Sequence, residues 1–366
     1  MVSRREFLAR AGRSALLALS ASTPPLLSGC ATSPGSLATA SDPELASLLD
    51  AVIGIDMHSH SGGVHFRSKP TVDLAERLRQ GRMTAVCLCH TGDGPVIRRN
   101  ADNHVVTARS PGPGELWRHT QARLDFFDGM IRAQGLRRVL NAGDLEAAHR
   151  DRAPAIVQTI EGSQFLEARI ERVAEVYRRG VRQLQLVHFF RSELGDNQTE
   201  SPDQGGLTSM GRQVIAECNR LGIVVDTAHG TMQLVEQAAA VCRTPLLLSH
   251  TAVTHRPGPR SRLVSREHAM VIAQTGGVVG IWAIAPTFES LPAFVDGIAR
   301  AVDAVGVDHV GLGSDVGGAP RNAWPDYGDF PVVVRLLRAK GFGAEEIEKL
   351  VGGNYVRVFN ASVRAA

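Results

Sequence analysis

Ala51-Val52-Ile53-Gly54-Ile55-Asp56 is an apolar run of strand length, and it leads into His58-Ser59-His60. Side chains two apart on a strand share a face, so both imidazoles point the same way at the strand's C-terminal end and can grip one divalent ion. A His-x-His pair alone is weak evidence, because most histidines in a chain of this size are surface or cap residues. Repetition gives it weight. Thr84–Cys89 is followed by His90, Ala155–Ile160 by Glu161, and Val181–Val187 by His188. Gly222–Asp226 is followed by His229, Pro245–Ser249 by His250, and His309–Ser314 by Asp315, with Gly277–Trp282 as a further run.

Amphipathic helical patterns separate these runs: Leu116–Gln134, Phe165–Arg179, Ser209–Leu221, Gln233–Cys242, Ser265–Gln274 and Leu291–Val305. Strands alternating with helices pair in parallel through right-handed crossovers. Eight such units predict an α/β fold, a (β/α)8 TIM barrel of the metal-dependent hydrolase type, whose site lies at the C-terminal ends of the strands. Buried parallel strands have little use for His or Glu unless function requires them. Two polar stretches, Thr91–Pro113 and Asp196–Gly206, read as excursions over the barrel mouth.

The chain has 366 residues, 43% hydrophobic and 21% charged, which suits a soluble globular protein with a large core. Its first 30 residues read as a leader. Ser3-Arg4-Arg5-Glu6-Phe7-Leu8 is a twin-arginine export signal, Ala15–Leu19 is a short apolar stretch, and Leu27-Ser28-Gly29-Cys30 reads as a lipobox, the alternative being a plain signal peptide with an incidental cysteine. The expectation is export by the twin-arginine route, lipidation of Cys30, and a periplasmic protein anchored to the membrane. Residues 31–43, rich in small and polar residues, form a flexible tether, and 44–366 a single catalytic domain. Residues 1–30 hold Arg4, Arg5, Arg10 and Arg13 against Glu6; the remainder balances 36 cations with 36 anions. A formally neutral domain gives no electrostatic reason to expect nucleic acid as a partner. Cys87, Cys89, Cys218 and Cys242 form no CxxC pair or disulfide framework, and Cys87 and Cys89 read as small core residues.

His58, His60, Glu161, His229 and His250 come from the first, third, fifth and sixth strands and form the candidate metal set. One carboxylate between two His pairs suggests two divalent ions bridged by Glu161, with zinc the expected metal. Asp315 is placed to take a proton from water or to bind a substrate amine. His188 is open between a core histidine and a donor to a developing oxyanion. Asp226 reads as orienting His229 or nearby backbone, His65 and His90 as loop or structural residues, and His309 as lying at the N-terminal face.

These stretches together resemble the membrane (renal-type) dipeptidase family of zinc peptidases, within the amidohydrolase-like barrels. The likeness rests on Asp56-Met57-His58, Ile160-Glu161-Gly162, Leu186-Val187-His188, Asp226-Thr227-Ala228-His229, Leu248-Ser249-His250, Gly313-Ser314-Asp315 and Gly353-Asn354-Tyr355, and it runs from about Ile53 to Phe359. The resemblance implies that His58 and Glu161 bind one zinc, and Glu161, His229 and His250 the other. It implies that His188 contacts substrate and steadies the tetrahedral intermediate, and that Asp315 handles the bridging water and the substrate amine. It also implies a substrate-binding arginine after the sixth strand. Arg262 fits by distance and Arg260 by its Pro-Arg pattern, with Arg262 favoured. The implied activity is hydrolysis of dipeptides by a metal-bridging hydroxide at the periplasmic membrane surface, in a possible homodimer. Two departures stand out. His60 occupies a position where the family usually has Asp, which removes a negative charge and is expected to weaken the metal on that side. Trp282-Ala283 replace an Asn-Phe-Tyr-like segment near the substrate carboxylate. The alternatives are a binuclear amidohydrolase acting on another amide, a lactam or an ester, and a non-catalytic metal- or small-molecule-binding lipoprotein.

Overall fold

The computed structural model describes residues 42–63, 70–102 and 104–363. The export signal, the lipobox at Cys30, tether residues 31–41 and His65 lie outside the described residues. Asp42 caps the first described helix, Pro43–Ala51, by accepting the Leu45 N–H at 2.9 Å, and proline occupies its first turn. This moves the first strand. Ala51 ends the helix and the Val52 N–H bonds back to the Leu48 carbonyl, so the strand runs over Ile55–Ser59 rather than from Ala51. The apolar residues Leu45, Leu49 and Val52 bury one helix face, a periodicity that the short run from Ala51 conceals.

The strands are β1 (Ile55–Ser59), β2 (Ala85–Thr91), β3 (Ile97–Arg99), β4 (Val105–Thr107), β5 (Arg137–Arg138), β6 (Ala155–Glu161), β7 (Val181–Gln185), β8 (Val224–Asp226), β9 (Leu247–Thr251), β10 (Val278–Ile281) and β11 (Val310–Leu312). Eight of them run in the order β1-β2-β6-β7-β8-β9-β10-β11, all neighbours parallel, and β5 pairs with β6 outside that path. The barrel closes just past the strand ends. Ser59 bridges Val316, the Asp315 N–H donates to the His58 carbonyl at 3.0 Å, and the His60 N–H to the Val316 carbonyl at 2.7 Å. The expected (β/α)8 architecture is therefore the observed one.

Two apolar layers follow from the two-residue strand period. Val86, Leu88, Ile156, Ile160, Val225, Leu248 and Val279 pack against the surrounding helices. Ile55, Met57, Ala85, Cys87, Val157, Val224, Leu247 and Val278 form the second cluster, closed at the base by Tyr355, Val358 and Phe359 of the helix Asn354–Ser362. Tyr355 OH donates to Gln183 Oε1 at 3.0 Å. Helices Ser209–Leu221 and Leu291–Val305 have the predicted bounds. The span expected as one helix over Phe165–Arg179 is broken: a 3-10 turn, Ser163–Leu166, passes into left-handed Glu167 and Ala168 before Glu171–Arg178 begins. Among the described residues, no helix is long and apolar enough to cross a membrane.

The two excursions lie where the mouth requires them. β3 and β4 form a hairpin between β2 and the helix Glu115–Gln134. Arg99 donates to the Gly318 carbonyl at 2.7 Å and Thr107 Oγ1 to Glu200 at 3.5 Å, so the hairpin reaches the loops after β11 and β7. In the second excursion, Asp196 accepts the N–H groups of Asp203, Gln204 and Gly206, which ties the loop to its own base.

Candidate metal centre

Glu161 ends β6 with its carboxylate at the middle of the barrel mouth, and the imidazoles converge on its two oxygens. Oε1 lies 3.1 Å from His229 Nε2, 3.3 Å from His250 Nε2 and 3.6 Å from His58 Nε2. Oε2 lies 3.3 Å from His60 Nε2 and 3.3 Å from His188 Nε2. His58 and His60 present their Nε2 atoms 3.0 Å apart, as do His229 and His250. Two facing nitrogen lone pairs repel unless a proton or cation lies against both. Their spacing approaches the edge of a tetrahedron with ~2.0–2.1 Å metal–nitrogen bonds. The four rings are buried. Burial holds His58 and His229 far below the usual imidazole range and brings His250 down to about 4, so these rings are neutral and free to ligate. Burial also opposes charge on His60, but the carboxylates of Glu161 and Asp315 outweigh it and raise that imidazole.

The far nitrogens of His58, His60 and His250 are anchored, which fixes ring orientation, whereas His229 Nδ1 is buried without a hydrogen-bond partner. His60 Nδ1 meets the Cys89 carbonyl at 2.9 Å, and Ser249 Oγ stands 3.0 Å from His250 Nδ1 and 3.3 Å from His58 Nδ1. Two buried aspartates lock the backbone beneath. Asp56 Oδ1 accepts the N–H groups of Ser314 at 2.8 Å and His58 at 3.2 Å, while its Oδ2 accepts Tyr327 OH at 2.7 Å and the Ser314 hydroxyl. Asp226 accepts the N–H groups of Ala228 at 3.0 Å and Ser249 at 3.1 Å, and Gln183 Nε2 at 3.1 Å. It orients the backbone beside His229 and His250 rather than a ligand ring. β10 leans so closely on β9 that a Cβ on Gly280 would stand 1.9 Å from the Ser249 carbonyl, so only glycine fits.

The ligand atoms form two groups, His58, His60, Cys89 and Glu161, and Glu161, His229 and His250, each with its atoms within 4.8 Å of one another. The donor sets fit divalent ions that accept imidazole and carboxylate, zinc among them. The carboxylate and four imidazoles expected from the sequence are thus in one place, with Glu161 shared. Cys89, read from sequence as core filling, stands with them.

Other expected residues divide. Asp315 Oδ1 lies 3.4 Å from His60 Nε2, on left-handed backbone with φ 55°. Burial lifts its carboxyl to about 7 against the pull of His60. His188 reaches Glu161 with Nε2 and binds Asp93 Oδ1 through Nδ1 at 2.6 Å. Burial disfavours its charge, but the Asp93 and Glu161 carboxylates prevail and raise it. Asp93, whose other oxygen accepts the Phe190 N–H at 2.8 Å, had no distinguishing mark in the sequence beyond a Gly-Asp-Gly turn. Arg262 bonds the Gln198 side chain, stands 3.4 Å from the His250 carbonyl, and places its guanidinium over the Trp282 ring at 5.6 Å. Desolvation brings it to about 10, still cationic at neutral pH. Arg260 is different: it is exposed and donates to Ser201 at 2.6 Å, away from the ligand cluster. His90 is buried against Phe127 on the helix side of β2, and His309 precedes β11 with Nδ1 on the Gly277 carbonyl at 2.9 Å.

Residues 47–366 match the family model described as membrane dipeptidase, peptidase family M19. A protein named Dipeptidase tcpJ from Claviceps purpurea is 28% identical over 308 residues, 80% of this chain and 71% of that one. Among solved structures, the probable dipeptidase PvdM from Pseudomonas aeruginosa superposes with a TM-score of 0.73 at 20% identity, over 87% of this chain and 98% of that one. A metallopeptidase from Rhodobacter sphaeroides, solved with a phosphinate mimic of L-Ala-D-Ala, superposes with a TM-score of 0.72 at 21% identity, over 85% of this chain and 99% of that one.

Proposed function

The chain belongs to the membrane dipeptidase family, peptidase family M19, as a metallopeptidase, and from that premise we propose that it cleaves dipeptides with two zinc ions while tethered by Cys30 to the periplasmic face of a membrane. The observation that carries the chemistry is the sharing of one carboxylate: both oxygens of Glu161 are met by imidazole Nε2 atoms, from three other strands. Ions held by His58, His60, Glu161, His229 and His250 would polarise the scissile carbonyl and make water acidic enough to attack at neutral pH.

The other residues serve that attack. Asp315, lifted to about 7, can hold a proton at Oδ1 and release it near neutral pH. His188, raised by its carboxylate neighbours and held by Asp93, offers an Nε2–H to an oxyanion beside Glu161. Arg262 supplies a cation at the mouth for the peptide carboxylate, and its cost of desolvation is reduced by the Gln198 and His250 carbonyl contacts. Export and anchoring rest on the Arg4-Arg5 signal and on Leu27-Ser28-Gly29-Cys30.

Purified protein should contain about two divalent ions per chain and hydrolyse dipeptides in preference to lactams and esters. Glu161→Ala should lose both metal and turnover; a variant that kept its activity would sink this reading. Cys30→Ala should move the protein from the membrane fraction to the soluble periplasm.

A further inference from the structure

Cys89 stands at the end of β2, on the same strand face as the buried Cys87. Its register partner on β6 is Thr159, two residues before Glu161. The thiol is 1% exposed, and its Sγ belongs to the group formed by His58, His60 and Glu161. The thiol donates to the His90 carbonyl of its own neighbour at 3.6 Å, a weak contact, and the Thr159 side chain lies within hydrogen-bond reach of the sulfur. The Cys89 carbonyl meanwhile holds His60 Nδ1, so one residue both aims the ring and stands beside the atom it aims.

We propose that the Cys89 thiolate is a ligand of the ion on the His58–His60 side. That half of the centre then has two nitrogens, an oxygen and a sulfur, while the His229–His250 half has two nitrogens and an oxygen. This inference rests on the two-metal reading above and extends it. Charge argues the same way. Within the ligand set, four imidazoles, neutral once ions are bound, and one carboxylate bring a single negative charge against two divalent ions in a buried site, where unbalanced charge is expensive. A thiolate adds a second negative charge without adding volume. On binding, the S–H bond breaks, an S–metal bond forms, and the proton leaves to water; no oxidant or reductant is needed. Cys87, two residues deeper in the same strand, lies in the apolar cluster with Ile55, Met57 and Ala85 and belongs to neither ligand group among the described residues, so it serves as an internal control. A sulfur ligand makes this half the softer of the two, selecting zinc over magnesium or manganese.

The test is X-ray absorption at the zinc edge on the full chain loaded with zinc. The expected result is a sulfur shell at about 2.3 Å, one sulfur for two zincs, beside nitrogen and oxygen at about 2.0–2.1 Å. Loading with cobalt(II) instead should give a thiolate-to-cobalt charge-transfer band in the near ultraviolet. Cys89→Ser should abolish sulfur shell and band and weaken one of the two ions at least about tenfold, whereas Cys87→Ser should leave both signals. A wild-type spectrum with nitrogen and oxygen alone overturns the assignment, and it needs no variant to fold. The two readings fail separately: dipeptide cleavage without a sulfur shell removes Cys89 alone, a sulfur shell without cleavage removes the dipeptidase assignment alone, and a chain that takes up no zinc removes both.

Discussion

At the scale of single residues, the site depends on groups that never touch a ligand position directly. Asp93 is one. Its carboxylate holds His188 Nδ1 at 2.6 Å and raises the ring's affinity for a proton. Asp93→Ala should lower kcat roughly tenfold to a hundredfold with a smaller change in KM, as expected when an orienting partner is lost. The limb of the pH profile on which His188 loses its proton should move to lower pH; a profile unchanged in shape would show that Asp93 only supports the loop. Asp226 gives a stability prediction. Burial lifts it from 3.8 to about 6 in the folded chain, so the folded state binds its proton more tightly than the unfolded state. In metal-free protein this favours folding below about pH 4 and is lost as pH rises through 6. Asp226→Asn should remove on the order of 1–3 kcal/mol of that dependence, read from urea unfolding at pH 4 and pH 7. Cys89 shows what sequence reading overlooks at this scale. Its position at a strand end was the same signal that marked Glu161 and His250, but sulfur beside Cys87 in an apolar run looks like packing until β6 is laid alongside it.

At the scale of elements, the strands were legible because buried parallel strands are short apolar runs with abrupt polar ends. Helices were legible where one apolar stripe runs between a clear cap and a clear stop, as in Ser209–Leu221, which starts after the Thr208 cap and ends at left-handed Gly222. Pro43–Ala51 was hidden because its last residue, Ala51, and its C-cap, Val52, merge with the apolar run that follows. The break at Glu167 and Ala168 was hidden because left-handed backbone at non-glycine residues carries no compositional mark. Arg260 and Arg262 could not be separated in one dimension; in three, both meet the loop carrying Gln198, but Arg262 also reaches the His250 carbonyl while Arg260 stays exposed on Ser201 of that loop. The close approach of β10 to β9 is testable. Gly280→Ala would drive a methyl into the Ser249 carbonyl, and Ser249 supports both His58 and His250. A loss of at least about 1–3 kcal/mol in urea unfolding is expected, together with weaker metal retention after dialysis.

At the scale of the whole molecule, the barrel and the centre stabilise one another. The ligands belong to or directly follow β1, β6, β8 and β9, so ions bound there cross-link four strands around the mouth and cannot bind the unfolded chain with the same geometry. Ions at a thousand times their dissociation constant would add about 4 kcal/mol. Chelation should therefore lower the unfolding temperature in scanning calorimetry by on the order of ten degrees, and zinc should restore it. An unchanged transition would mean that the centre forms without load on the fold. The hairpin β3–β4 extends this coupling to the mouth, since Arg99 and Thr107 link it to the loops after β11 and β7.

The distance along the chain between ligands also sets a schedule. Ser249, the neighbour of His250, comes 191 residues after His58. A ribosome therefore releases the first histidines long before the last one exists, and an ion that arrives early finds a fragment with no complete pocket. If the ion is taken up as the barrel closes, its identity is set in the compartment where the chain folds. Under the twin-arginine route proposed above, which carries folded cargo, the ion would leave the cytoplasm already enclosed, and the metal supply of the periplasm would have no part in choosing it.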